Sequence, residues 1–326
     1  MLSDTHCHLS HISERGVDLS KLLSDMRSSS FSFVLDIGTK PGDFVPRLNR
    51  ISEALQKEAL QRVTEKNGEG EAAQSDFPEW LHFSCGLWPD ASVIADRENA
   101  MKILERDAAS MLDHAYSNAG PKRAYAALGE CGLDRYWNGP DSPGRKNSSA
   151  ENADDGPGTD DLSGEEALFE MQLEVSRKLD LPVVVHSRDA FEQTLGCIKN
   201  MDYDRGVIHC FAYGIAEARA FLDRGWHISF PGNITWAKKA ADRERIAALL
   251  RYVPTDRLLL ETDAPYLAPA PHRGAVNTPL LIRHTFERAA ECLGLGVNEL
   301  TLLVETNAKE LFALKVEEEG AQVAGS

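Results

Sequence analysis

The sequence lacks the features that would place the protein in a membrane or outside the cell. None of its apolar runs is long enough to span a bilayer. The first ten residues, MLSDTHCHLS, contain neither the basic nor the apolar segment of an export signal. The six cysteines are scattered singly, without a CxxC pair or the spacing of a disulfide-rich scaffold. We therefore expect a cytoplasmic protein with reduced thiols, no membrane association and no obligate protein partner.

Positive charge is also scarce. The chain has 35 lysines and arginines against 51 acidic residues, which gives a formal net charge of −16. This balance disfavours non-specific attraction to nucleic acid or to anionic lipid. A polyanionic substrate would have to meet local arginines or a bound metal. With 326 residues, of which 42% are hydrophobic, the chain is long enough for one large core or two smaller ones.

Short β-type runs alternate with helix-length stretches along the whole chain. The runs are LSDTH, FVLDIG, HFSCGLWP, YAALGECG, PVVVHS, GVIHCF, WHISFPG and LLLETD. Eight strands alternating with helices predict a parallel α/β fold, either an open doubly wound sheet or a closed (β/α)8 TIM barrel. The barrel fits the count and the length better. Helices near 277–294 and 297–314 would cover its outside, giving one domain over 1–314 and a flexible tail over 315–326.

Two segments interrupt this alternation. Residues 138–164 are rich in Gly, Pro, Ser, Asn and Asp, and their one large apolar residue is Leu162. Such a composition offers little apolar surface to bury, so it predicts a disordered insertion between the fourth strand and its helix. Residues 64–78 are similar in character but shorter.

The stretch DTHCHLS raises the possibility of a metal site. His6 and His8 are two positions apart, and residues at i and i+2 share one face of a strand. A single histidine of this kind is more often a hydrogen-bonded surface residue than a ligand. Other histidines and acids, however, end four further runs: Glu130 in AALGE, His186 in VVVH, His209 in GVIH and Asp263 in LLLETD.

These six side chains would meet at the carboxyl ends of the barrel strands, where active sites of this fold lie. Imidazole and carboxylate ligands suit zinc, manganese, cobalt or magnesium, and the lack of a thiolate argues against a structural zinc site. The neighbouring Cys7, Cys131 and Cys210 would point the other way by the strand period and belong to the core.

With these residues in place, the sequence resembles the TatD family of metal-dependent hydrolases, within the amidohydrolase-like superfamily. DTHCHLS, LGECGLDRYW, MQLEVSRKLDLPVVVHSRDA, GVIHCFAYG and LLLETDAPYLAPAPHRGAVNTP match its signature segments in order and span nearly the whole chain. The resemblance implies two divalent metal ions (zinc, magnesium or manganese), one held by His6, His8, Glu130 and Asp263, and one by Glu130, His186 and His209. Glu130 would bridge them. One departure is Trp88 in GLWP, where the family often has a histidine.

The family's name implies a phosphodiesterase that acts on DNA ends as an exonuclease, with DNA or another phosphodiester as a transient partner. Two metals can clamp a phosphate and activate a water, and Asp263 would act as the general base beside the bridging Glu130. A hydrolase of C–N or C–O bonds in a small molecule is the alternative, because the same ligands could serve either reaction. A third hypothesis is a protein that binds metal without catalysing a reaction.

Substrate contacts are less constrained by the sequence. Arg188 follows His186 by two positions, so its guanidinium could grip a phosphate or form an ion pair with Asp134. Arg273, in PHRGAVN, is the second phosphate-binding residue we predict. Glu261 shares the strand face of Asp263, where it could line the pocket, orient a neighbouring group or simply pack. Aromatic side chains at the same rim, which could stack on a base or simply pack, are Phe211, Tyr213 and Trp236.

Overall fold

Eight parallel strands form a barrel in the computed structural model, which describes residues 1–65, 77–119, 124–144 and 158–314. The strands are β1 (Leu2–Cys7), β2 (Phe31–Asp36), β3 (Leu81–Cys85), β4 (Ala126–Asp134), β5 (Val183–Arg188), β6 (Gly206–Ile208), β7 (His227–Phe230) and β8 (Leu258–Leu260). Each pairs in parallel with the next. Cys7 then bridges to Ala264, just past β8, so the first and last strands meet. The predicted (β/α)8 barrel is confirmed, and the open sheet is wrong.

Helices lie between the strands and outside them. Their bounds are Leu9–Glu14, Leu19–Ser28, Phe44–Glu65, Ala91–Ala95, Arg97–Ala119, Leu162–Leu179, Phe191–Met201, Ile215–Leu222, Ala240–Tyr252, Ile282–Leu293 and Val297–Phe312. The last two match the predicted C-terminal helices, and Asn307 ties the final one to the barrel by donating to the carbonyls of Thr255 and Leu258. Across the described ranges, no helix combines the length and the apolarity that a membrane crossing requires.

The contact between β4 and β5 is close enough to exclude a side chain at Gly132. A Cβ there would collide with the backbone carbonyl of His186, and the φ of +138° is one that glycine favours. Gly132 and His186 are partners in the strand register. The glycine therefore lets the two strands approach, with Glu130 and Asp134 flanking the point of contact on the same strand face as Gly132.

The flanks of the predicted insertion pack against the barrel. Asn138 is buried and donates to the carbonyl of Pro89 and to a carboxylate oxygen of Glu165. The backbone N–H of Gly139 donates to the carbonyl of Thr159 across the base of the segment. The following helix begins at Leu162, capped by Asp161. Residues 145–157, 66–76 and the tail 315–326 lie outside the described residues, so the predicted flexibility of these segments stays a prediction.

His227 is a buried histidine at the opposite end of the barrel from the strand ends that carry the six predicted ligands. It is 8% exposed at the start of β7, and its Nδ1 has no hydrogen-bond partner within the described ranges. Burial, with the nearby charge of Arg257, lowers the pKa of His227 from 6.5 to about 4. Between these two pH values the unfolded chain binds a proton that the folded chain excludes, so stability falls as the pH is lowered.

Lowering the pH from 7 to 5 is therefore expected to reduce the free energy of unfolding by on the order of 2 kcal/mol through His227. Urea denaturation at the two pH values checks this in wild type, in His227→Gln and in a control, His284→Gln, on the helix Ile282–Leu293. The His227 variant should lose less stability on acidification than wild type and the control. An equal loss in all three proteins would contradict the assignment.

Candidate metal centre

The structure brings all six predicted residues together at the carboxyl ends of the strands. His6, Glu130 and His186 lie within β1, β4 and β5, whereas His8, His209 and Asp263 lie just beyond strands. The two shortest strands, β6 and β8, end at Ile208 and Leu260, so the chain has left the strand before it reaches its polar residue.

The carboxylate of Glu130 lies at the centre of the cluster. Its Oε1 is 3.0 Å from Nδ1 of His186 and 2.9 Å from Nε2 of His209. These two ring nitrogens are themselves 3.3 Å apart. One carboxylate oxygen and two imidazole nitrogens thus converge on one point.

The other oxygen of Glu130 faces a second set of side chains. Oε2 is 3.4 Å from Nε2 of His6 and 3.7 Å from Nε2 of His8. Oδ1 of Asp263 is 3.6 Å from each of the same two nitrogens, which are 3.2 Å apart. Glu130 therefore belongs to two adjacent groups of ligand atoms, one through each oxygen.

These separations fit a divalent cation. Four ligands at about 2.0–2.1 Å from a tetrahedral ion lie about 3.3 Å from one another. Three groups of side chains place their ligand atoms within 4.8 Å of one another: His6, His209 and Asp263; His6, His8 and Glu130; and Glu130, His186 and His209. Neutral imidazoles and carboxylates are the ligands that zinc and manganese accept. The donor set therefore fits the metal that the sequence predicts.

Electrostatics within the cluster are strongly coupled. Burial opposes the charged form of Glu130, yet the surrounding imidazoles of His209, His186 and His6 hold the pKa of Glu130 well below its usual range. Burial alone would lower the pKa of His186, but hydrogen bonds to Asp134 and Glu130 raise it to about 9. A cation that binds here must displace protons from these rings, because a ligating imidazole nitrogen carries none.

Asp4, in the DTHCHLS segment, links β1 to the residues that follow β8. Its buried carboxylate accepts from the backbone N–H of His6 and from both the N–H and the hydroxyl of Thr262. The N–H of Asp263 in turn donates to the carbonyl of His6. Sequence reasoning missed this carboxylate, although its position two residues before His6 on one strand face was a usable signal.

Two further carboxylates lie behind the histidines around Oε1 of Glu130. Oδ2 of Asp134 is 2.9 Å from Nε2 of His186. Oε1 of Glu261 is 3.5 Å from Nδ1 of His209 and accepts the backbone N–H of Cys210 at 2.6 Å. Glu261 is 1% exposed and contacts His209, so it does not line an open pocket, and the orienting and packing roles both remain. Neither Glu261 nor Asp263 lies within β8, so the expected shared strand face is wrong.

The strand period fails at these positions because the backbone turns. Asp263 has a φ of +53° and Cys210 a φ of +46°, both outside strand geometry. Cys210 is consequently half-buried instead of lying in the core, whereas Cys7 and Cys131 are buried as expected. All six cysteines are free thiols.

Arginines at the rim stack on aromatic rings. The guanidinium of Arg188 lies 3.7 Å above the ring of Tyr136, and that of Arg273 lies 4.5 Å above the ring of Trp236. Both arginines are exposed. Along the described ranges Arg188 makes no ion pair with Asp134, so that alternative is wrong: Asp134 pairs with His186 instead.

The other aromatic side chains near the cluster differ in their surroundings. Phe211 is buried against Phe230, and the hydroxyl of Tyr213 is 2.9 Å from the hydroxyl of Ser187, so both are packing residues. Trp88, by contrast, is half-buried, and its ring meets that of His186 edge to face, with 5.9 Å between the centroids. Its ring therefore lies beside the cluster.

Comparison with known proteins supports the resemblance. The family model described as TatD related DNase matches residues 3–313. YcfH of Escherichia coli, described as an uncharacterised metal-dependent hydrolase, is 29% identical over 315 residues, covering 95% of each chain. YabD of Bacillus subtilis, described in the same words, is 25% identical over 316 residues, 96% of this chain and all of that one.

A solved structure shares the fold. The crystal structure of YJJV, a TatD homologue from Escherichia coli, aligns with a TM-score of 0.67 and 21% identity over 95% of this chain and 97% of that one. Since the family model spans nearly the whole sequence, the chain belongs to the TatD family of metal-dependent hydrolases.

Proposed function

We propose that this hydrolase is a phosphodiesterase that cleaves DNA from its ends, with six side chains holding two divalent cations. The observation that carries the proposal is the placement of Glu130, whose two oxygens face separate groups of ligand atoms. The metal-binding side chains are His6, His8, Glu130, His186, His209 and Asp263. A pair of cations, when bound, would polarise a phosphate oxygen and lower the pKa of a bound water.

Asp263 is the proposed general base. Its side chain is 14% exposed and its Oδ1 lies within 3.6 Å of His6 and His8, so it borders both the cluster and the open end of the barrel. From this position it can accept the proton of a water that attacks the substrate. The left-handed backbone conformation at Asp263, held by the hydrogen bond from its N–H to the carbonyl of His6, aims the carboxylate at the cluster.

Arg188 and Arg273 are the proposed phosphate contacts. Each guanidinium lies over an aromatic ring and, among the described residues, forms no ion pair, so its N–H groups can meet a phosphate. These two arginines add positive charge at the rim of a chain whose net charge is −16. The overall acidity of the protein favours binding to the end of a DNA strand over binding along a long DNA duplex.

A direct assay tests the proposal. The enzyme is freed of metal with a chelator, reloaded with zinc, manganese or magnesium, and incubated with single- and double-stranded DNA labelled at either end. A panel of lactones and amides is run in parallel. We expect metal-dependent, stepwise shortening of DNA. Turnover of the small molecules alone would favour the C–N or C–O hydrolase, and no turnover of any substrate by metal-loaded enzyme would favour a binding scaffold.

Arg188→Ala is expected to raise KM for DNA several-fold while leaving the metal content unchanged. The proposed role of the side chain is to contact the substrate, and it does not bind the metal. Arg188→Lys should recover little, since an ammonium neither stacks on Tyr136 nor binds phosphate through two parallel hydrogen bonds. Arg283→Ala, on the outer helix Ile282–Leu293, is the control. Steady-state kinetics and elemental analysis check this. Loss of metal in Arg188→Ala would make the residue a structural support.

A further inference from the structure

We propose that Asp134 is a positioning residue, which holds His186 in the ring orientation and tautomer that turn Nδ1 toward Glu130. The inference rests on the proposed metal-dependent function and extends it to a residue outside the ligand set. His186 has both ring nitrogens occupied: Nδ1 is 3.0 Å from Glu130, and Nε2 is 2.9 Å from Oδ2 of Asp134. An acceptor at Nε2 keeps the proton there and the lone pair on Nδ1, where a cation needs it.

Asp134 is itself held rigidly. It is 1% exposed at the end of β4, and its Oδ1 accepts the backbone N–H groups of Tyr136 at 2.9 Å and Trp137 at 3.1 Å. These two donors leave Oδ2 free to face His186. The carboxylate therefore cannot rotate away without breaking the turn that follows the strand.

A buried second carboxylate supports this arrangement. Oε1 of Glu165 accepts the backbone N–H of Asp134 at 2.8 Å and the side-chain amide of Asn138, also at 2.8 Å. Glu165 is fully buried and forms an ion pair with Arg135. A chain of contacts thus runs from the helix Leu162–Leu179 through Asp134 to the ring of His186.

The arrangement makes two substitutions at Asp134 diagnostic. In Asp134→Asn the two backbone donors require an oxygen at the Oδ1 position, so the amide N–H₂ must face Nε2 of His186. The ring then has to accept at Nε2 and carry its proton on Nδ1, which opposes cation binding. Asp134→Ala removes the hydrogen bond but imposes no tautomer. A purely structural role gives the opposite order, because asparagine keeps the turn and alanine loses it.

The test measures binding of Zn²⁺ and Mn²⁺ to chelator-stripped full-length enzyme by competition with a chelating dye. Wild type, Asp134→Asn, Asp134→Ala and a control are compared. The control, Asp161→Asn, changes an exposed carboxylate that caps the helix Leu162–Leu179 and accepts the backbone N–H of Gly164. We expect affinity to fall about 10–100-fold in Asp134→Asn, less in Asp134→Ala and not in the control, with the metal-free melting temperature of Asp134→Asn near that of wild type.

A spectroscopic readout accompanies the affinities. In zinc-loaded wild type, ¹⁵N-labelled histidine spectra should show His186 protonated at Nε2 and zinc-bound at Nδ1. Wild-type affinity in Asp134→Asn, or a larger loss in alanine than in asparagine, would overturn the inference. Wild type that binds no cation would overturn the proposed metal centre together with it. Because neither readout involves DNA, failure of DNA cleavage alone would overturn the proposed substrate and not the role of Asp134.

Discussion

Asp263→Asn is expected to lower the rate of hydrolysis by about 10²–10⁴ while leaving the fold intact. The amide is close in size to the carboxylate and can coordinate weakly through its oxygen, but it cannot accept the proton of the attacking water. Single-turnover rates at saturating metal, with circular dichroism for the fold, check the expectation. The residue lies just past β8 with its side chain 14% exposed, so little packing is lost.

The matched control is Asp256→Asn, the same change in an exposed carboxylate that pairs with Arg257 at the other end of β8. It should keep wild-type activity. Full metal occupancy and near-normal rates in Asp263→Asn would remove the general-base assignment. A rate loss that vanishes at high metal concentration would instead identify Asp263 as a ligand without a role in proton transfer.

Glu130→Gln is expected to have the largest effect. One amide oxygen cannot serve both His186 and His209 on one side and His6 and His8 on the other, so the variant should lose tight binding of at least one cation. Activity should fall at least as far as in Asp263→Asn. Metal-to-protein ratios after dialysis, measured by elemental analysis, test this directly.

Glu130→Asp separates the effect of the negative charge from the effect of the side-chain length. It keeps the negative charge that balances the buried imidazoles but shortens the side chain, so it should fold better than Glu130→Gln and still bind metal poorly. Glu291→Gln, exposed on the helix Ile282–Leu293, is the control. A Glu130→Gln variant that keeps wild-type metal content and activity would exclude a bridging role.

The barrel and the cluster of six residues could be predicted from the β-type runs. Eight such runs alternating with helices indicate the barrel, and the residues that end the runs indicate the cluster. Parallel strands place their carboxyl ends on one face, so apolar runs that finish in His186 or Glu130 must bring those side chains together. This holds whether the residue lies inside the strand or just past it, as His209 does. The clustering could therefore be predicted without knowing how neighbouring strands are aligned with each other.

The supporting contacts required information that the sequence does not contain. Asp134 was assigned to Arg188 as its alternative ion-pair partner, and the two residues are indeed partners in the strand register. The carboxylate of Asp134 nevertheless pairs with His186, and the guanidinium of Arg188 lies over Tyr136. The positive φ at Asp263 separates it from Glu261, which alternation alone placed on the same face. Side-chain orientation and backbone turns after a strand therefore limited the prediction.

An anomalous difference map from a crystal soaked in zinc, with data collected at the zinc absorption edge, would show directly whether the six side chains hold two cations. We expect two peaks, one on each side of the Glu130 carboxylate, the first contacted by His6, His8 and Asp263 and the second by His186 and His209. A map without peaks at these side chains, in a crystal whose other zinc sites are occupied, would contradict this expectation.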